Sequence, residues 1–369
     1  MSPALATEYR PSYASHPGQT LRESLGSFGM TQSELARRMG RPLKTINEII
    51  KGKAAITPDT AVQLETVLGV PANFWLDRQT QFDESAARRR RLAELRHFVS
   101  WADRFPIREM RKRLEFPRHK DRIRLVQELL SFFGVASPAE WKTSWNVLNE
   151  LHAHGHNAGI DKEALSVWLR FGEIRAQSTT CGDFNRTAFK DSLREIRKLT
   201  TDAPGAFVPK MIEMCASGGV ALVLVPDIPR THVRSAIRWL TPQKAIIQQC
   251  LGHRATDQFW FDFYHDAAHI LKNTRERLIL ETGDGEHLPR EQEADQFAAD
   301  FLIPPGKYGV FKKRARFTKT SVLDFARSIG IAPGIVVGRL QKEGLLGHDC
   351  LNGLKNIFSH IPSPIKRRQ

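Results

Sequence analysis

The sequence predicts a mainly helical chain that begins with a helix-turn-helix bundle, continues through a helical middle region and ends in a small α+β domain. Short amphipathic stretches separated by glycine fill residues 16–82, and three apolar runs typical of strands follow Gly218. A pair of histidines four residues apart lies just beyond those runs. Because 369 residues exceed the usual length of one domain, we expect two or three domains.

The stretch from Met30 to Gly40 predicts the first helix of the turn motif. Thr31 is a favourable N-cap, Glu34 would complete a capping box, and Gly40 ends the helix. The segment RPLKTINEIIKGK starts the second helix near Pro42, and TPDTAVQLETVLGV supplies a third. The predicted buried face of the second helix consists of Ile46, Ile49 and Ile50.

The second helix of such a unit lies in the major groove of DNA, with its early residues facing the bases. That geometry exposes Pro42 and Leu43, and it lets Lys44 read guanine and Asn47 read adenine. The expected phosphate contacts are Gln32, Thr45, Lys51 and Lys53. The alternative is a helical bundle that binds no nucleic acid.

Residues 16–82 resemble the HigA family of antitoxins, which belongs to the Xre-type repressor group, most specifically from Thr45 to Leu76. The resemblance implies a homodimer that binds double-stranded operator DNA, and in many members a HigB-type ribonuclease toxin as partner. Family members usually carry polar residues where this chain has Pro42 and Leu43, so the operator sequence does not carry over.

The formal net charge is +15, which favours a polyanion such as nucleic acid, although a solvated basic surface fits equally well. The basic clusters are Arg88–Arg91, Arg111–Arg113, Lys312–Arg316 and Lys366–Arg368. No apolar run approaches the roughly 20 residues that span a bilayer, and the amino-terminal residues lack the pattern of a secretory signal. The scattered cysteines predict buried free thiols. We therefore expect a cytoplasmic protein without a membrane partner.

Residues 83–116 predict a basic helical linker, which either contacts the DNA backbone beside the operator or is simply solvated. Residues 117–215 predict a helical middle region whose role the sequence leaves open. Within it, His152, His154 and His156 alternate around a glycine, a pattern more typical of an exposed loop than of a metal site.

The segments GGVALVLVP, RSAIRWL and KAIIQQC predict three strands, and DQFWFDFYHDAAHIL predicts the helix that follows them. Residues four apart on a helix share a face, so His265 and His269 can both present imidazoles to one ion. Neutral imidazoles suit zinc, but a pair with this spacing also occurs by chance. A zinc site therefore needs a third ligand.

The helix predicted for EQEADQFAADFLIP supplies two candidates for that ligand. Glu291 lines up with Asp295, Ala298 and Leu302 on the less polar face, so we predict Glu291 as the ligand and keep Glu293 as the alternative. Asp295, one turn further on, would orient a ligand histidine. Taken alone, the segment also fits an ordinary amphipathic helix with an acidic first turn.

From about residue 204 to 355 the chain resembles the ImmA/IrrE family of metallopeptidase-like domains. The stretches DQFWFDFYHDAAHIL, EADQFAADFLIP and IAPGIVVGRLQKEG carry the resemblance. It implies a zincin-like domain over residues 216–360, with zinc held by His265, His269 and Glu291. Asp266 stands where the family carries its glutamate base, and a misplacement of about 1 Å can cost roughly 100-fold in rate. Catalysis is therefore open, whereas metal binding is expected.

Three functions follow from these patterns. The first is a HigA-type repressor or antitoxin whose C-terminal zinc metallopeptidase-like domain regulates or senses. The second is an active zinc endopeptidase that cleaves a repressor or another regulator, with Asp266 as base and Tyr264, Arg254 or His287 as candidate transition-state donors. The third is an antitoxin whose degenerate zincin domain only scaffolds a toxin.

Overall fold

Helices dominate the chain in a computed structural model of the protein. The structure describes residues 14–146, 148, 159–250, 255–272, 278–282, 289–313 and 316–356. The alternating histidines at 152–156, the donor candidates Arg254 and His287, and the basic cluster at 366–368 lie outside the described residues. The chain divides into two compact units, Met1–Ser100 with Asp121–Gln127, and Trp101–Lys120 with Glu128–Gln369.

The first unit contains the predicted helix-turn-helix bundle. Its helices are α1 (Pro17–Ser27), α2 (Gln32–Met39), α3 (Leu43–Ile50), α4 (Pro58–Leu68) and α5 (Ala72–Leu95). The predicted inner face of α3 is confirmed, because Ile46, Ile49 and Ile50 are all buried in one core with Trp75 of α5. Helix α5 is continuous through residue 82, where the sequence places the start of the linker.

The turn between α2 and α3 follows from its terminal residues. The Thr31 hydroxyl accepts a hydrogen bond from the Glu34 backbone N–H, as predicted for an N-cap. The second half of the predicted capping box is wrong, because the Glu34 carboxylate accepts hydrogen bonds from Arg37 and Arg38 instead. Gly40 ends α2 at φ 63°, a backbone conformation that costs glycine nothing.

The other helices of the described residues come before, between and after the strands of a small sheet. They are α6 (Val99–Ala102), α7 (Ile107–Arg113), α8 (Arg122–Phe133), α9 (Pro138–Ser144), α10 (Lys162–Ser178), α11 (Arg186–Lys198), α12 (Pro204–Ser217), α13 (Thr256–Leu271), α14 (Pro289–Leu302), α15 (Pro305–Lys312), α16 (Lys319–Ile329) and α17 (Pro333–Lys342). No described helix is by itself long and apolar enough to cross a membrane, and only the bent pair α16 and α17 together meets that length and composition. Two of the cysteines, Cys215 and Cys250, are buried as expected, whereas Cys350 is exposed.

The sheet contains the three predicted strands and a fourth short one. These are β1 (Val220–Val225), β2 (Ser235–Thr241), β3 (Lys244–Cys250) and β4 (Ile279–Glu281), in the order β1-β3-β2-β4. β1 runs parallel to β3, and β2 runs antiparallel to both β3 and β4. The fold is therefore mainly helical with a small mixed sheet towards its C-terminal end, as the sequence predicts.

Helix α13 is buried along almost its whole length, which fixes its orientation. Its aromatic residues Phe259, Trp260 and Phe263 pack into the same core as Ile237 and Ile247 of the sheet. The adjacent α14 contributes apolar residues to that core while its acidic first turn stays nearer to the surface. The polar side chains of α13 are consequently held between the sheet and α14.

Candidate metal centre and nucleic-acid interface

His265 and His269 lie on one face of α13, as their spacing predicts. The His269 side chain is 1% exposed and that of His265 is 8% exposed. Their two Nε2 atoms are 3.1 Å apart, so both rings present the same nitrogen to one point. A helical i, i+4 pair held this rigidly can supply two ligands to a single ion.

Two carboxylates, from β4 and from the first turn of α14, face the same point. Glu291 Oε2 lies 3.2 Å from Nε2 of His265 and 3.3 Å from Nε2 of His269. Glu281 Oε1 lies 3.3 Å and 3.9 Å from the same two nitrogens. One ligand atom from each of the four side chains lies within 4.8 Å of the others, so this cluster could hold a metal ion.

The polar atoms of the cluster are better placed to bind a cation than to form hydrogen bonds with each other. Glu291 Oε2 is buried and, among the described residues, accepts no hydrogen bond, although two imidazole nitrogens lie close by. A buried acceptor without a hydrogen bond is costly, and a bound cation would remove that cost. Two imidazoles with carboxylate oxygens form a donor set that zinc prefers.

Asp295, one turn after Glu291, contacts the outer nitrogen of His265. Its Oδ1 lies 2.9 Å from His265 Nδ1, and its Oδ2 accepts a hydrogen bond of 2.8 Å from Lys342 Nζ. Lys342 comes from α17, within the stretch IAPGIVVGRLQKEG. This chain of contacts fixes the ring of His265 and directs its Nε2 towards the cluster.

The electrostatics of the cluster favour positive charge. Burial alone would lower the pKa of His265, but the surrounding carboxylates, Asp295 foremost, raise it to about 12. Burial alone would raise the pKa of Glu291, yet its histidine neighbours hold that pKa well below the usual range. Burial opposes the shift in Asp295 as well, but His265 and Lys342 lower its pKa to about 2. A divalent cation would supply the positive charge that the protonated histidine otherwise provides beside these carboxylates.

Asp266 faces the sheet and is completely buried. Its Oδ1 accepts a hydrogen bond of 2.7 Å from the Ser235 hydroxyl, and its Oδ2 accepts one of 3.2 Å from Gln249 Nε2. Burial raises the pKa of Asp266 well above its usual value. Both oxygens are thus engaged by strands β2 and β3.

The other carboxylate and hydroxyl candidates lie away from the cluster. Glu293 has a side chain that is 68% exposed, and it forms an ion pair with Lys272. Tyr264 is buried, and its hydroxyl donates a hydrogen bond of 2.9 Å to the Leu193 carbonyl. The structure therefore brings together His265, His269 and Glu291 with Asp295 behind them, and it leaves Glu293 and Tyr264 outside.

Glu281 is the member of the cluster that sequence reasoning missed. It ends a strand of three residues, which is too short for a periodic signal. The one clue in the sequence was an acidic residue after the apolar run Leu278–Leu280, placed between the histidine pair and the acidic helix. Only the pairing of β4 with β2 shows that Glu281 faces α13.

The predicted DNA contacts lie at the surface of the helix-turn-helix bundle. The Lys44 side chain is 84% exposed and makes only a loose ion pair of 3.9 Å with Glu48. Lys51 and Lys53 are also exposed, in the turn that follows α3. Gln32, Thr45 and Asn47 are half-buried at the start of α2 and along α3. This surface combines exposed cationic groups with an amide, which are kinds of side chain that contact phosphates and base edges in protein–DNA complexes.

Comparisons with known proteins identify this bundle. The helix-turn-helix family model matches residues 21–75. Over 71 residues the chain is 34% identical to the uncharacterized HTH-type transcriptional regulator YddM of Escherichia coli (strain K12), a match that covers 19% of this chain and 76% of that protein. It is also 39% identical over 71 residues to virulence-associated protein I of Dichelobacter nodosus, covering 19% and 66% respectively.

A solved structure with a similar sequence is the Pseudomonas aeruginosa antitoxin HigA with the higBA promoter. It is 28% identical, and the match covers 23% of this chain and 94% of that one with a TM-score of 0.22. The family match and the Escherichia coli relative identify the N-terminal domain as a helix-turn-helix domain of the kind found in transcriptional regulators. Through that domain, the chain belongs to the helix-turn-helix family of transcriptional regulators.

Proposed function

We propose that this protein is a HigA-type repressor or antitoxin that reads operator DNA as a homodimer and holds one zinc ion in a C-terminal regulatory domain. The DNA-binding part of this proposal rests on the family match over residues 21–75. That range contains α3 with its exposed Lys44. The metal-binding part of this proposal rests on the four candidate ligand atoms that lie within 4.8 Å of one another.

DNA recognition is tested by footprinting the full-length protein on the promoter of its own gene. A two-fold symmetric site with half-sites about one helical turn apart is expected, because paired recognition helices enter successive major grooves. Lys44→Ala and Asn47→Ala should each lose roughly 1–3 kcal/mol on that site and little on unrelated DNA. Lys53→Ala, which removes a phosphate contact, should weaken binding equally on both DNAs. Unchanged operator affinity in the first two variants would overturn the assignment of α3.

Metal binding is tested by elemental analysis of the purified protein. We expect about one zinc ion per chain and its loss from Glu291→Gln, because the amide replaces a buried anionic ligand. Glu293→Gln is the matched control, since Glu293 lies on the same helix but is exposed and paired with Lys272. Loss of metal from the control alone, or from neither variant, would refute the ligand assignment.

Zinc-dependent hydrolysis of a protein partner is a second candidate, favoured by the His265, His269 and Glu291 set, which would lower the pKa of a bound water. Asp266 would act as base only if it exchanged its hydrogen bonds to Ser235 and Gln249 for contact with that water. Cleavage of the product of the neighbouring gene should then rise in Asp266→Glu and vanish in Asp266→Ala. Equal cleavage by both variants and the wild type would exclude Asp266 as base. Absence of cleavage by all of them, with zinc bound, would favour the scaffold function.

A further inference from the structure

We infer that Glu281 is a fourth protein ligand of the metal and closes its coordination sphere. The inference rests on the proposed metal function, and it deepens that function by stating which kind of centre this is. A zinc site with four protein ligands is typically structural or regulatory, whereas a hydrolytic site keeps one position for water. Glu281 decides between these two kinds.

Strand pairing directs Glu281 at the histidines. Ser235 of β2 is paired with Gln249 of β3 on one side and with Glu281 of β4 on the other. Residues directly opposite each other in a sheet project from the same face. Because the side chains of Ser235 and Gln249 both reach Asp266 on α13, the side chain of Glu281 lies on that face too. The register of the three-residue strand β4 therefore directs the Glu281 side chain towards the histidines.

Four of the distances between the ligand atoms suit a tetrahedral ion, and Glu281 is the outermost member of a cluster whose atoms all lie within 4.8 Å of one another. Zinc ligands at about 2.0–2.1 Å from the ion are separated from each other by about 3.3 Å when the geometry is tetrahedral. The three separations among His265, His269 and Glu291 are 3.1, 3.2 and 3.3 Å. Glu281 adds separations of 3.3 and 3.9 Å from the two histidines. Its carboxylate therefore faces the side of the cluster where water would bind in a hydrolytic centre.

The burial of Glu281 supports a ligand role over that of a surface acid. Its side chain is 15% exposed, nearly the same as the 16% of Glu291, whereas the side chain of Glu293 is 68% exposed. A carboxylate buried to this degree needs a partner of opposite charge. The neighbouring Asp266 cannot take over as water-activating base in this arrangement, because Ser235 and Gln249 engage both of its oxygens. With Glu281 as a ligand, the centre would lack both an open position for water and a base to activate it.

Cobalt(II) substitution of the full-length protein tests the closed sphere without relying on activity. Wild type should bind one cobalt ion, show the intense visible bands of a four-coordinate ion, and not change on addition of azide. Glu281→Ala should retain cobalt through the other three ligands, with altered bands that shift with azide. Because a fourth ligand competes with the anion, azide affinity should be at least about tenfold higher in the variant. Glu293→Ala should behave as wild type.

Wild-type bands that shift with azide as readily as those of Glu281→Ala would overturn the inference while leaving the metal function intact. Unchanged bands in Glu281→Ala would have the same consequence. A wild type that takes up neither zinc nor cobalt would refute the metal function itself. If Glu281→Ala fails to fold, Glu281→Gln preserves the size of the side chain and is held to the same spectroscopic criteria.

Discussion

The two ends of the chain build their functional surfaces in different ways. The proposed DNA contacts run from Gln32 to Lys53 in one short stretch, and they lie at the surface on α2, on α3 and in the turn that follows α3. The metal cluster draws residues from α13, β4 and α14, and its members are buried or nearly so. A contiguous site can be located from local patterns, whereas an assembled site also depends on how separate elements pack.

The same difference determines how each surface responds to substitution. The Lys44 side chain is 84% exposed, so its removal should leave the fold unchanged and alter only binding. The His269 side chain is 1% exposed and lies among carboxylates. Its removal should therefore lower both metal binding and the stability of the fold. We therefore expect the largest effects at the metal centre and the smallest at the DNA surface.

The largest expected effect is the loss of metal and stability in His269→Ala. The variant should hold less than about a tenth of an ion per chain, because binding energy for such a site is also folding energy. A chelator should lower the melting temperature of the wild type and have no further effect on the variant, as calorimetry can measure.

Operator affinity provides the control for this variant. If the two ends act independently, His269→Ala should bind operator DNA as the wild type does, while Lys44→Ala should retain its zinc. A fall in the operator affinity of the wild type when a chelator is added would show that the two ends are not independent. It would indicate that the metal centre regulates DNA binding.

Much of this organisation is visible in the sequence because it depends on local signals. Thr31 and Gly40 delimit α2, three apolar runs give β1 to β3, and the spacing of His265 and His269 indicates a shared helix face. Other features required the packed chain. The pairing of Glu34 with Arg37 competes with the capping box, and because both are local patterns, spacing alone does not decide which one forms.

The orientation of Asp266 and the identity of Glu281 were the least predictable features of the metal centre. Asp266 directly follows His265, yet its position about 100° around the helix turns it towards the sheet. Glu281 becomes visible only through the register of β4 against β2. Both outcomes depend on the packing of α13 against strands, which no local pattern encodes.

A smaller effect, about 10–100-fold in zinc affinity, is expected for Asp295→Asn. The substitution keeps the size of the side chain but removes the charge that orients His265 through its Nδ1. Competition with a zinc-binding dye measures the change, and Glu293→Gln supplies the baseline. An unchanged affinity would show that the charge of Asp295 is not needed to orient the ring.

Zinc affinity should also rise with pH, by about tenfold per unit across the neutral range. The pKa of His265 is raised to about 12, so the metal-free imidazole carries a proton that zinc must displace. Asp295, with its pKa lowered to about 2, is already ionised and contributes no proton in this range. Calorimetric titration in buffers of different ionisation enthalpy should therefore detect release of at least one proton per ion. Binding without proton release would contradict the protonated state of the cluster.

The smallest expected effect concerns Leu43, the first residue of α3, which is 42% exposed. An exposed apolar side chain at this end of a recognition helix can read the methyl group of thymine, the apolar feature of the major groove. Sites selected from random DNA by the wild type should therefore contain thymine opposite the start of α3. Replacing that thymine by uracil should weaken binding about fourfold, since one buried methyl contributes about 0.8 kcal/mol. Leu43→Ser should bind both DNAs equally, whereas Lys44→Ala should retain the preference for thymine. An equal loss on uracil in Leu43→Ser would assign the methyl contact to another residue.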